Sequence, residues 1–334
     1  MAIDRIRHHF LQNLHTARMW MRSLGGPMRA GTARYRRGLR EEVEHYSKVH
    51  GESKNLFEPA PAVWDLVLDK ASARIESRLG AGWLDYAAWR LEKADARMLS
   101  LGCGAGGVEL AIAAKAPQAE YVCLDLNGDL FARAREGADG AGAKRMEFIA
   151  TDLNSDPYDR GRFDVVLCHA SLHHLVELEH VMEGIARSLA PEGELLVIDV
   201  NTPNGFRMAE ATRKAAATVF ATLPERFRWN HVGYGEVWLD DKIFQPPAMM
   251  EGMECQRSAD VLPLLRKHFQ EALFVPYFGL CRRFFDTMYG PNYHLDQPLD
   301  RAIVEWIWEL DCDSVDRGAL PPESFFGVYR LKPR

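Results

Sequence analysis

Residues 99–110 read LSLGCGAGGVEL. A short apolar run enters a glycine cluster, and a helix-like pattern leaves it. Glycines at a strand-to-helix turn permit unusual backbone angles and close approach of a ligand to the main chain. The helix that follows offers unpaired N–H groups at its amino terminus. The stretch therefore predicts a turn that cradles a nucleotide-like ligand.

Outward from this loop the chain alternates. RMLSL at 97–101 is an apolar strand, and GVELAIAAKA is helical up to Pro117. EYVCLDL is a second strand, and a helix follows with Leu130, Phe131 and Ala134 at helical spacing. RMEFIATDL holds a third strand, and FDVVLCHA a fourth, apolar enough to be buried on both faces. Val181, Ile185 and Leu189 mark an amphipathic helix, and Pro191, Glu192 and Gly193 turn into the fifth strand, ELLVIDV. EALFVPYFG (271–279) and FFGVYRLK (325–332) read as a closing pair of strands, with a helix before the first that Ser258 is placed to cap. Strands alternating with helices predict an α/β fold with a doubly wound, mostly parallel seven-stranded sheet and helices on both faces. Its ligand belongs beyond the carboxyl ends of the strands.

Two glycine spacings coexist in the loop. Gly102-x-Gly104-x-x-Gly107 fits a dinucleotide fingerprint, whose acid is expected about 20 residues on. Asp125 ends the second strand and supplies it. Gly102-x-Gly104-x-Gly106 suits S-adenosylmethionine equally well at this point, and in either case Asp125 can accept from both ribose hydroxyls.

The later motifs favour the second cofactor. ATDLN at 150–154 puts Asp152 at the tip of the third strand, where an acid can bond an adenine amine. FDVVLCHASLHHL at 163–175 and LAPEGELLVIDV at 189–200 follow in order. The set resembles the class I S-adenosylmethionine-dependent methyltransferases, closely over 97–200 and loosely over 258–279 and 325–332. The resemblance implies that Gly102, Cys103, Gly104 and Gly106 form the cofactor loop. Asp125 and Leu126 would hold the ribose, Asp152 and Leu153 the adenine, and His169 would face the sulfonium. S-adenosylhomocysteine is the implied product. One departure stands out: the family usually has an acid two residues before the first glycine, and here Ser100 occupies that place. Something from the amino-terminal region is expected to replace it.

Methyl transfer to a neutral hydroxyl needs a base. A histidine titrating near neutrality suits the task, and His173 and His174 cluster beside the fourth strand, with His231 and Tyr234 as second candidates in the insertion after the fifth. No metal is expected, because no carboxylate or thiolate falls at matching spacing from these histidines. CHAS replaces the Asp/Asn-Pro-Pro-aromatic motif of exocyclic-amine methyltransferases, which argues against nucleic-acid bases as acceptors. The insertion carries Phe206, Phe220, Phe227, Trp229 and Trp238, which are candidate pocket walls, and Arg207, Arg213, Arg226 and Arg228, which are candidate anion sites or partners of local acids.

The expected organisation is a helical extension over 1–96, a cofactor-binding core over 97–200, an acceptor-site lid over 201–257, and the end of the core over 258–334 with a helical insertion at 281–322. In that insertion Leu299, Ile303, Trp306, Ile307 and Leu310 are expected to share one face. Net charge is −6, yet residues 1–40 hold nine Arg and one acid, Asp4, so that segment is about +8 and the remainder about −14. Ile3, Ile6, Phe10, Leu14, Ala17, Met21 and Leu24 form a helical stripe beside Arg5, Arg7, Arg18 and Arg22. A basic amphipathic helix can cap the acceptor site, dimerise, or dock on an acidic partner or a membrane surface. Six cysteines without a C-x-x-C pair, and no signal peptide, predict reduced thiols in a cytoplasmic protein. The expectation is an O-methyltransferase of a small or carrier-bound metabolite. Alternatives are an RNA or protein methyltransferase recruited by the basic segment, an NAD-dependent oxidoreductase, and a non-catalytic cofactor-binding relative.

Overall fold

The structure is a computed structural model that describes residues 28–52, 61–157, 160–232, 237–244 and 252–333. The basic stripe over residues 3–24 and Tyr234 lie outside the described residues.

Among the described residues three helices precede the sheet: α1 (Ala33–Glu52), α2 (Ala62–Leu79) and α3 (Trp83–Arg90). Then come β1 (Arg97–Leu101), α4 (Gly107–Ala113), β2 (Glu120–Asp125), α5 (Phe131–Gly140), β3 (Met146–Ala150), β4 (Phe163–His169), α6 (Leu178–Ser188) and β5 (Leu189–Val200). The chain continues through α7 (Glu210–Thr222), the short strands β6 (Trp229–Asn230) and β7 (Trp238–Leu239), α8 (Ser258–His268), β8 (Phe269–Tyr277), α9 (Arg282–Phe285), α10 (Pro298–Asp316) and β9 (Ser324–Leu331).

The main sheet runs β3-β2-β1-β4-β5-β9-β8. β1 to β5 pair in parallel, while β9 is antiparallel to both β5 and β8. The order reverses between β1 and β4, which opens a crevice at the carboxyl ends of these strands. Alternation across the sheet sorts its side chains into two cores. Met98, Cys123, Val165 and Leu167 pack with α2, α3 and α10, whereas Leu99, Val122, Val166 and Cys168 pack with α6 and α8. None of the described helices is long and apolar enough to cross a membrane.

Three local expectations are corrected. β5 begins at Leu189, upstream of the Pro191–Gly193 turn, with an irregularity in its pairing to β4. Ser258 does not cap α8; its hydroxyl faces Thr202 and the Cys255 carbonyl, and Asn204 Oδ1 accepts the Ala259 N–H at 3.0 Å instead. The third correction concerns α10, which buries only part of the predicted stripe: Ile307 is in the core and Ile303 and Leu310 pack against it, but the other two residues face outward. Leu299 is 57% exposed and Trp306 46%, while Asp300, Val304, Ile307, Asp311 and Val315 point inward. The two aspartates displace the apolar residues because each satisfies buried main-chain donors: Asp300 accepts the His294 N–H at 2.9 Å, and Asp311 that of Cys281 at 2.7 Å.

Candidate active site

A cavity of about 1170 Å³ lies over the carboxyl ends of the strands. Sites for single small ligands run to roughly 300–1,000 Å³, so this one has room for a cofactor and an acceptor together.

The β1 loop forms its floor. Gly102 has φ +77°, and a Cβ there would lie 2.5 Å from Ser171 Cβ. Only glycine lets the β1 loop come this close to the loop after β4. Asp125, at the tip of β2, builds the same turn: Oδ2 accepts the Gly104 N–H at 2.7 Å and Oδ1 the Asn127 N–H at 2.8 Å. A carboxylate offers about four acceptor sites, so Asp125 keeps capacity for ribose hydroxyls. Gly102, Cys103, Gly104, Leu126, Asp152, Leu153 and His169 also line the cavity. Gly106 is the exception among the loop residues. A Cβ there would meet the Phe148 ring at 3.1 Å, so its flexibility serves packing on β3, and Gly107 lines the cavity instead.

Asp152 is less available than the motif suggests. Its carboxylate accepts from the Tyr35 hydroxyl at 2.7 Å, from Asn154 N–H at 3.0 Å and from Ser155 Oγ at 3.0 Å. An adenine amine arriving there competes with Tyr35. Helix α1 supplies this phenol and lies along the cavity. Asn127 Nδ2 reaches Ser47 Oγ at 3.0 Å, and Glu42 pairs with His174 Nδ1 at 2.7 Å.

The acid absent at position 100 appears nine residues later. Glu109, on the first turn of α4, accepts from Ser100 Oγ at 2.6 Å. Burial pushes its carboxyl up to about 7, against the hydrogen bond from Ser100. This side chain reaches the cavity wall from the core, on α4 rather than on the amino-terminal region.

Beside the β4 tip, His173 Nδ1 lies 2.6 Å from Asp199 Oδ1. Asp199 is 3% exposed and also accepts the Leu172 N–H at 2.8 Å and the Val200 N–H at 2.7 Å. Asp199 thus holds the Nδ1 side of the ring, and Nε2 lies 3.6 Å from Glu254 Oε1. His174 has a different setting. Burial lowers its affinity for a proton, but Glu254 and Glu42 outweigh this and hold it up at about 9. His169 is pushed down by burial and stacks on Trp83 at 5.7 Å.

A metal was not expected from local spacing, yet the fold brings Glu254 and Cys255 beside His173, with their donor atoms within 4.8 Å of one another. Burial raises the Cys255 thiol, which donates to Glu254 Oε1 at 3.4 Å. His231 is not part of the site. Its Nε2 lies 2.9 Å from Asn292 Oδ1, and the residue is outside the cavity lining. Among the described aromatic residues of the insertion only Phe206 lines the cavity, while Phe220 and Phe227 are in the core, Trp229 pairs with Leu239 and Trp238 with Asn230 across β6 and β7. Arg213 and Arg226 are engaged by Glu210 and Asp300.

The charged His174 carries a pH signature. A folded-state value raised above the ordinary 6.5 stabilises the fold below that pH, and the contribution is lost as pH rises through about 9. The urea midpoint is expected to fall between pH 6.5 and 9.5 more steeply in the wild type than in His174→Asn. Parallel curves would remove the charge from this site. Glu42, Glu254, Tyr46, Asp199 and His173 face the same cluster, so the comparison is made as a difference between the two proteins.

Comparison with known proteins bears on this geometry. Residues 92–247 match the family described as "Methyltransferase domain". A ubiquinone biosynthesis O-methyltransferase of Xanthomonas axonopodis is 32% identical over 127 residues, covering 38% of this chain and 52% of that one. A demethylmenaquinone methyltransferase of Thermus thermophilus is 33% identical over 113 residues, covering 34% and 51%. The chain thus spans about half the length of the curated relatives it matches. Among solved structures, a Pyrococcus horikoshii protein aligns over 75% of this chain and 88% of its own at 17% identity, with a TM-score of 0.40.

Proposed function

Residues 92–247 put the chain in the class I S-adenosylmethionine-dependent methyltransferase superfamily, and from that premise we propose that it methylates a hydroxyl of a small organic acceptor. The observation that carries the choice of hydroxyl is the His173–Asp199 contact of 2.6 Å at the cavity wall. The relatives named for quinone biosynthesis support a small-molecule acceptor.

When bound, S-adenosylmethionine supplies an electrophilic methyl group on a positively charged sulfur. The chain's own residues do the rest. Asp125, Asp152 and the Gly102–Gly104 turn hold the adenosine, and the β4 loop aligns the acceptor. His173 Nε2 takes the hydroxyl proton as the new O–C bond forms, and Asp199 stabilises the imidazolium that results. Helix α1 excludes water from the transfer.

The test incubates the purified protein with S-adenosylmethionine and a set of catechols and hydroquinones, and reads O-methyl products and S-adenosylhomocysteine by mass spectrometry. Tight binding of S-adenosylhomocysteine with no methylated hydroxyl in the set would overturn the reading.

Glu109 adds a proton signature. Its carboxyl, held up at about 7, faces a cavity that receives a cation. A positive charge nearby favours the ionised form. Binding of S-adenosylmethionine at pH 6.5 is therefore expected to release a fraction of a proton. Calorimetry in two buffers of different ionisation enthalpy measures it, and Glu109→Gln should abolish it. Equal heats in both buffers for the wild type would remove Glu109 from cofactor binding.

A further inference from the structure

The far end of the cavity holds a cation that the methyl-transfer chemistry leaves unused. We infer that Arg282 binds a carboxylate of the acceptor, so that the substrate is a hydroxy acid. The inference rests on the proposed transfer to a hydroxyl and names the class of molecule that carries it.

Arg282 opens α9, just beyond β8, and its side chain lines the cavity. Its guanidinium lies 4.4 Å from the centre of the Phe206 ring and 5.9 Å from that of Trp64. Among the described residues no ion pair or hydrogen bond joins it. The acids around it are engaged elsewhere. Glu323 is taken by Arg283 at 2.9 Å, Glu254 faces the two histidines, and Asp286 accepts the Met288 N–H at 2.8 Å. A cation set beside two aromatic rings at a cavity wall, with no acid of its own among the described residues, is an incomplete ion pair. A guanidinium presents its donors as a planar fork that matches a carboxylate, and the Phe206 ring fixes the plane of that fork.

Backbone strain provides an independent observation. Phe206 has φ +57° and Phe278 φ +58°. Bulky residues are outliers in this region of backbone space, and such strain persists where the surroundings enforce it and clusters at ligand sites. Both residues line the cavity at this end. Arg283 anchors the arrangement, since Nη2 donates to the Phe206 carbonyl while its ion pair holds Glu323, whose N–H donates to the Phe278 carbonyl at 2.7 Å. The two strained residues, an arginine's partner and an unpaired arginine thus form one built unit.

Position separates this unit from the cofactor. β1, with the glycine turn, and β8, which leads into Arg282, are four inter-strand steps apart in the sheet. At about 4.8 Å per step the two loops are separated by roughly 19 Å. The adenosine acids Asp125 and Asp152 end β2 and β3, farther away still. Arg282 therefore serves the acceptor end, with His173 on β4's loop between the two.

The experiment reads binding, so it does not depend on turnover. The chain is saturated with S-adenosylhomocysteine and titrated by calorimetry with 3,4-dihydroxybenzoate and with its uncharged amide, 3,4-dihydroxybenzamide. The wild type is expected to prefer the acid, and Arg282→Met to weaken the acid about 10–100-fold while leaving the amide unchanged. Arg282→Lys, which keeps the charge and loses the fork, should fall between. Melting curves guard against misfolding, and Arg282→Met should melt no lower than the wild type because it removes an unpaired, partly buried charge. Equal binding of acid and amide by the wild type, no binding of either, or undiminished acid binding by Arg282→Met overturns the inference. Weakened S-adenosylhomocysteine in Arg282→Met also overturns it and assigns the residue to the cofactor. Loss of O-methylation with acid binding intact instead counts against the proposed function alone.

Discussion

His173→Ala is expected to lower the rate of methyl transfer by about 10²–10⁴-fold, the usual contribution of a positioned base. The affinity for S-adenosylhomocysteine should change little, because the adenosine acids lie on other strands. Two observations single out His173 from its neighbours. Asp199, buried on β5, fixes its Nδ1 at 2.6 Å, whereas His174 is held charged by Glu42 and Glu254 and has no proton-accepting nitrogen to spare. Asp199→Asn tests the same idea differently. An asparagine can keep the shape yet present its amide N–H to Nδ1, which turns the imidazole to the other tautomer and removes the acceptor from Nε2. Single-turnover rates for both variants across pH 6–9 separate a base from a packing residue. A base gives a rate that climbs with pH toward a plateau, and its loss flattens the profile. An unchanged profile in His173→Ala would leave the hydroxyl to ionise without protein help.

The sheet was legible because its strands carry their burial in their own residues. β4 is apolar and buried from Val165 to Cys168, and β1 and β2 put successive apolar side chains into two cores. The glycine turn, Asp125 and Asp152 were legible for a related reason, since each sits at a strand tip marked by a change of residue type. The α10 face was misread at Leu299 and Trp306 because apolar spacing outranked polar need. Nothing near Asp300 or Asp311 signals that each caps main-chain donors of another segment. The acid/base cluster was half legible. The pair His173 and His174 stands out in the chain, but Asp199 comes from 26 residues away and Tyr46 from 128. Asp199 did leave a signal, an acid ending the otherwise apolar run ELLVIDV. Arg282 left none: among 41 basic residues it is distinguished only by the engagement of every acid around it.

Asp125→Ala is expected to weaken S-adenosylmethionine by about 100-fold or more, given that hydrogen bonds to charged groups contribute about 1.5–3 kcal/mol each. The loss has two sources, and they can be told apart. One is direct, the carboxylate's contact with the ribose. The other is structural, because its two oxygens hold the N–H groups of Gly104 and Asn127 at 2.7 and 2.8 Å and so set the shape of the turn. Alanine leaves both donors unpaired in a half-buried loop. Asp125→Asn separates the terms. Its amide keeps one oxygen for one main-chain N–H but points an N–H at the other, so the turn is disturbed while a hydrogen-bonding group remains for the ribose. If the direct contact dominates, the asparagine variant retains most of the affinity and melts close to the wild type. If the turn dominates, both variants weaken alike and both melt lower. Calorimetry with S-adenosylhomocysteine and a melting curve on each variant decide between them. Retention of wild-type affinity in Asp125→Ala would defeat both terms together, and with them the placement of the cofactor over this turn.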